Sequence, residues 1–407
     1  MGGMIFVPPQ CQQLAVAFIQ SWDMIMLPPT LVQLELTSLV MHPSLLDVFS
    51  AWTPHALRKI VLCDVIDFDG GALVAALIER MPLTVMSFDV SCAMVDEVPE
   101  QQQLALANLI CRLPSLNRLG LGVGYGIAGL DAVMRALPRI GFPSLYLNLR
   151  SSPDDAAKDS EIVARLVASF PTTVSSLAFD GKGLNTEHAL ALVASLPRAT
   201  DKLDVFIHDW TTDMFRELPL LSTLRELRVT FRNVESDDLQ LLFARLPKTL
   251  ESLDIGTWLC NPADIRVHTL ALNMPPQLTS FRIARCGLDD SDLDLLDRAW
   301  PDTLRYLDLS DNWCFRGPMG LPDGLQKLNL KSNPLRDQVA RTWVVALPTS
   351  LRMLELEAEA MGANMVSALL ERIPVQNSSW RRMKICSTFG FGKCPFREQL
   401  VPRFNLM

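Results

Sequence analysis

Residues 304 to 309 read Leu304-Arg305-Tyr306-Leu307-Asp308-Leu309: an apolar residue, two variable ones, a second apolar residue, one variable, and a third. The alternation that closes this block is the period of a strand with one buried face. The same block recurs through the chain. It reads Leu31/Leu34/Leu36, Leu57/Ile60/Leu62, Leu83/Met86/Phe88, Leu116/Leu119/Leu121, Phe142/Leu145/Leu147, Val174/Leu177/Phe179 and Thr200/Leu203/Val205 in the first half. It continues as Leu224/Leu227/Val229, Leu250/Leu253/Ile255, Leu278/Phe281/Ile283, Leu304/Leu307/Leu309, Leu325/Leu328/Leu330, Leu351/Leu354/Leu356 and Trp380/Met383/Ile385. Successive starts lie about 27 residues apart on average, within the range of short strand-plus-helix repeats.

A proline keeps the same beat, as in Met81-Pro82, Leu113-Pro114, Leu196-Pro197, Leu246-Pro247, Met274-Pro275 and Leu347-Pro348. Proline cannot continue a helix, so each one closes a helix and returns the chain to the next strand. Between strand and proline the spacing predicts helices over 187 to 197, 236 to 247 and 291 to 301, with Ser236 and Ser291 as N-caps. A single strand–turn–helix unit cannot bury both its strand face and its helix stripe. Stacked units can. Strands sit closer together than helices, so the stack is expected to curve, with about fourteen parallel strands on a concave wall and helices on the convex side.

These residues resemble the leucine-rich repeat superfamily, and within it the ribonuclease-inhibitor-like subclass, whose repeats carry full helices. The nearest matches to its longer pattern are residues 278 to 296, 304 to 315 and 325 to 337. Cys286, Asn312 and Asn333 fall where that family places a buried Asn or Cys, with Trp258 at the corresponding place one repeat earlier. The resemblance implies an α/β solenoid of horseshoe form. It also implies a role in holding other proteins, with a GTPase-activating protein and a ubiquitin-ligase adaptor as family precedents. Residues 1 to 30 are expected to form an N-terminal cap or partial repeat containing a helix that ends at Leu27-Pro28. Residues 31 to 386 carry the repeats, and 387 to 407 a C-terminal cap, with no room for an F-box ahead of the repeats.

Composition narrows the class. Of 407 residues, 49% are apolar and 20% charged, which excludes a disordered or low-complexity chain. A net charge of −8 argues against nucleic acid or an anionic membrane as partner. The nine cysteines show no paired spacing and read as reduced thiols used as small hydrophobes. No basic segment precedes the apolar stretch at the N-terminus, and no run is long enough to span a bilayer. The expected location is the cytoplasm.

Catalytic patterns are weak. Gly124 to Gly129 matches the GxGxxG of dinucleotide-binding loops, but its helix is short and the next strand ends in Arg150 rather than an acidic ribose anchor. In the GFGK stretch at 390 to 393, Ser387 stands where a phosphate loop needs its first glycine and Cys394 where it needs Ser or Thr. The five histidines are isolated, and the carboxylates from Asp289 to Asp297 read as a solvated helix start. No catalytic residue, metal site or cofactor is expected.

The variable positions of each block point away from the core. At the fifth position Asp204, Arg228, Asp254, Arg282 and Asp308 alternate in sign along neighbouring strands, followed by Asn329 and Glu355. Opposite charges at that spacing form a ladder. Tyr146, Phe206, Tyr306 and Met353 also point outward and supply anchors of the kind that dominate interfaces. The expected function is a non-catalytic module that grips a protein or peptide on these residues, with regulation of a nucleotide-binding enzyme or substrate adaptation for a ubiquitin ligase as the alternatives.

Overall fold

A computed structural model of the chain describes residues 5–17, 25–38, 40–52, 55–67, 72–92, 100–113, 115–122, 133–137, 142–150, 174–198, 200–220, 222–232, 234–257, 267–357, 362–372 and 382–386. Trp258, the Gly124–Gly129 loop, the GFGK stretch and the expected C-terminal cap lie outside them. The chain divides into two compact units. One comprises Met1–Ile207 with Glu217–Pro219, and the other His208–Arg216 with Leu220–Met407.

In the first unit two short strands, β1 (Ile5–Phe6) and β3 (Ile25–Met26), pair in parallel beside the main sheet. That sheet runs β2 (Gln13–Ala17), β4 (Gln33–Thr37), β5 (Lys59–Val65), β6 (Ser87–Cys92), β7 (Arg118–Leu121), β8 (Phe142–Arg150), β9 (Val174–Gly183) and β10 (Lys202–Phe206). Every pair in it is parallel. Helices α1 (Pro43–Ala51), α2 (Ala72–Glu79), α3 (Glu100–Arg112) and α4 (Thr186–Ser195) lie between strands in the chain. The second unit repeats the plan. Its strands β11 (Glu226–Phe231), β12 (Ser252–Thr257), β13 (Ser280–Ala284), β14 (Tyr306–Asp308), β15 (Lys327–Asn329), β16 (Met353–Glu357) and β17 (Arg382–Cys386) are parallel and in sequence order. They alternate with α5 (Ser236–Ala244), α6 (His268–Leu272), α7 (Asp290–Leu296), α8 (Ala340–Val345) and α9 (Ala363–Arg372), while the link from β14 to β15 is loop.

Leucines of the repeat form the core. Leu34, Leu62, Leu119, Leu227, Leu253, Leu307 and Leu354 are all at most 1% exposed. Each such burial contributes about 2 kcal/mol. The proline beat has a physical role beyond ending helices. The carbonyls of Pro247, Pro275, Pro301, Pro322 and Pro348 each accept from the N–H three residues on, at 3.0 to 3.2 Å, and that residue is the first of the block. A hydroxyl residue just before the block ties one repeat to the last, as when Thr303 Oγ1 donates to the Leu278 carbonyl at 2.8 Å.

Two expectations are corrected. The block at β6 begins at Val85, not Leu83: Pro82 accepts from Val85 N–H, and Phe88 pairs with Ile60 and Val90 with Leu62. Val85, Phe88 and Val90 are buried, while Leu83 is 56% exposed. The residue at the fifth position is therefore Asp89 rather than Ser87. Residues 13–17, expected in a cap with a helix, form a strand in register with β4, Leu14 opposite Leu34 and Val16 opposite Leu36. Its block is Cys11/Leu14/Val16, hidden by a cysteine in the first place, and Pro8 accepts from Cys11 N–H at 2.9 Å.

The helix starts shift by one or two residues. Asp289, not Ser291, caps α7: its Oδ1 accepts from the Ser291 and Asp292 backbone while Asp292 Oδ2 accepts from Asp289 N–H. This reciprocal arrangement satisfies donors that an isolated serine would leave. Glu235 occupies the cap of α5, without a side-chain bond.

Candidate functional site

In the second unit the alternating fifth positions meet. Arg228 Nε lies 3.3 Å from Asp254 Oδ2, Arg282 Nη1 3.3 Å from the same oxygen, and Arg282 Nε 3.3 Å from Asp308 Oδ2. The register that brings them together pairs Arg228 with Asp254, Asp254 with Arg282 and Arg282 with Asp308. Burial pushes the Asp254 carboxyl above its usual range, although Arg282 and Arg228 pull it down. Arg282 is held above its own usual value by Asp254 and Asp308 against the cost of burial.

The arginines of this chain are more exposed than its carboxylates, Asp254 being 23% exposed. The Arg228 and Arg282 side chains are 50% and 38% exposed and the Asp308 side chain 6%. Asp308 is thus on the expected face but covered. Tyr306 Oη donates to its Oδ2 at 2.9 Å, and the Ser310 N–H donates to Oδ1 at 2.9 Å. Burial and the neighbouring carboxylate raise the Tyr306 phenol well above its ordinary value. Farther on, Asn329 Oδ1 accepts from Lys331 N–H, Lys331 Nζ pairs with Glu355 Oε2 at 3.5 Å, and Met353 is half-buried opposite Lys327. Tyr146, Asp204 and Phe206 point from the same sheet face of the first unit and are half-buried.

The expected buried ladder is present. Asn312 Oδ1 accepts from the Cys286 and Leu288 backbone, and Asn333 Oδ1 from Cys314 N–H. The carboxylate run of α7 has a partner that the sequence reading missed. Asp294 and Asp297 hold Arg316 at 2.7 and 3.0 Å, and Asp290 accepts from the Phe315 and Arg316 backbone. These bonds pin the loop after β14. The Asp297 pair is covered, with Arg316 17% and Asp297 12% exposed, while Asp294 is 71% exposed and solvated as expected.

A cavity of about 490 Å³ opens on the sheet face of the first unit, over Val61 and Cys63, with Glu35 and Asp89 among its walls. Sequence reasoning missed it because the register at β6 was misread by two residues. The turn proline at Pro82, three residues before Val85, was the signal that could have placed it. Among the described residues no group of three or more His, Cys, Asp or Glu side chains could hold a metal, and no helix is long and apolar enough to cross a membrane.

No protein-family model matches the chain, and no curated protein matches it in sequence. Solved structures do. The Rad7 and Elc1 complex from yeast aligns with a TM-score of 0.51 at 16% identity, over 91% of this chain and 84% of that chain. The fold is a leucine-rich-repeat solenoid of the α/β class. The leucine-rich repeat-containing protein LegL7 from Legionella pneumophila gives a TM-score of 0.44 at 14% identity, over 67% of this chain and 89% of its own. TLR13 in its complex with ssRNA13 gives 0.44 at 15%, over 81% and 53%. At such identities the likeness is one of fold.

Proposed function

We propose that this protein is a non-catalytic binding module that grips a protein or peptide on the open face of its sheet, between Arg228 and Glu355. The observation that carries this reading is the Arg228–Asp254–Arg282–Asp308 chain of ion pairs. It holds half-exposed guanidinium groups on the same face as Tyr306, which shares Asp308 with Arg282. Side chains held in this way lose little freedom on binding, and their charges select a partner of complementary pattern. Tyr146, Asp204 and Phe206 supply further contacts in the first unit. The net charge of −8 supports a protein rather than a nucleic acid as partner and weighs against an anionic membrane. The helices between strands support the ribonuclease-inhibitor-like subclass, and nine cysteines without paired spacing in the sequence support a cytoplasmic location.

Photo-cross-linking tests the face. A benzoylphenylalanine placed at Met353 or Lys327 captures the partner in cell extract, and one placed at Gln240 or Arg341, on the helices, does not. Capture from the helix positions alone contradicts the reading. Arg228→Glu with Arg282→Glu should weaken capture in a protein that still unfolds cooperatively.

A further inference from the structure

We infer that the cavity over Val61 in the first unit seats a lysine or arginine side chain of a partner polypeptide between the carboxylates of Glu35 and Asp89. This extends the reading of the sheet face as a binding surface and rests on it, but uses a different stretch of that face and names the chemistry recognised.

Glu35, Val61 and Asp89 occupy the fifth position of three adjacent strands, in register. Two carboxylates therefore flank one apolar side chain, with their backbones about 10 Å apart. Their charges reach one space: both raise the Cys63 thiol, which lies in the same cavity and is pushed up chiefly by burial and Asp64. Glu35 makes no hydrogen bond or ion pair among the described residues, and Asp89 meets only Arg118, at 3.4 Å from each oxygen. Arg118 is 49% exposed, so water screens this pair.

Gly120 sets the width of the slot. A Cβ there would stand 1.9 Å from Asp89 Oδ1, so the carboxylate leans over bare backbone on β7 and away from Val61. A long basic side chain can lay its methylenes on Val61 and its cationic head between the acids, as such side chains do at apolar surfaces. Two cations stand at the border, Lys59 and Arg118, both at the third position of their repeat blocks. They oppose a basic guest, and their removal separates this proposal from its opposite.

The test uses the full chain, fluorescently labelled, against resin-bound random hexapeptides, with affinities of selected peptides measured in solution. Peptides with a basic residue at one common position are expected. Glu35→Gln and Asp89→Asn should each weaken them by about tenfold, and Lys59→Met should tighten them. Both carboxylate changes are nearly isosteric, and thermal unfolding verifies the fold. Selection of acidic or uncharged peptides, or of none, overturns the inference, as does weaker binding by Lys59→Met. If selected peptides depend on Arg228 and Arg282 but not on Glu35 and Asp89, this inference fails while the wider reading stands. If they depend on neither pair, both fail.

Discussion

The side-chain oxygen of Asn312 lies 3.0 Å from the backbone nitrogen of Cys286 in the preceding repeat. The same amide donates to the carbonyls of Ile283, Leu309 and Ser310, and the residue is 3% exposed. Truncation takes the Oδ1 acceptor from the Cys286 and Leu288 N–H groups, while the Leu309 and Ser310 carbonyls keep Asn333 Nδ2 and Arg285 N–H as donors, so the desolvation cost falls mainly on the two N–H groups. Asn312→Ala is therefore expected to cost about 3 kcal/mol, read as a fall in the urea midpoint. Asn329→Ala, on the open face, should cost under about 1 kcal/mol. Equal costs would contradict the ladder.

Tyr306 and Asp308 make a pH-dependent contribution. The folded phenol ionises above its usual value, through burial first and then the charge of Asp308. The folded state thus holds the proton more tightly than the unfolded one. Its stability contribution is complete below the unfolded value of about 10 and is lost as pH rises toward the folded value. Ultraviolet difference titration should show two late tyrosines, Tyr146 being raised as well. Tyr306→Phe should remove one and flatten the alkaline loss of stability.

Two glycines differ in what an added methyl group meets. At Gly120 it meets the end of the Asp89 side chain, which can turn aside. At Gly320 it comes 1.9 Å from the Asp297 carbonyl oxygen, which is backbone. Gly120→Ala should cost about 1 kcal/mol or less, and Gly320→Ala about 2 to 3 kcal/mol. Thermal melts of the two variants test the order.

Thiol reactivity should divide by burial. Cys111 is exposed, whereas Cys286 and Cys314 are buried. Burial, with the charges of Asp290 and Asp292, pushes the Cys314 thiol up to about 12. With iodoacetamide at about pH 8, Cys111 should be alkylated first, and Cys286 and Cys314 only on unfolding, as peptide mass mapping would report.

The β6 segment shows where apolar spacing alone runs out. Residues 83 to 90, LTVMSFDV, accommodate Leu83/Met86/Phe88 and Val85/Phe88/Val90 equally well. Both are apolar at the required spacing. The choice is made by Ile60 on β5 and Leu119 on β7, which face Phe88. Likewise Cys11 conceals the first place of a block whose strand becomes evident only through its pairing with β4.

Apolar periodicity is a property of neighbours in the chain. By itself the sequence therefore determined the repeat, the parallel strands from β4 onward and the side of each that is buried. It also placed Asp254 opposite Arg282, 28 positions apart, because both hold the fifth position of their blocks. The covered state of Asp308, the loop pinned by Arg316 and the cavity over Val61 were decided by cross-strand register and by how closely neighbouring repeats pack.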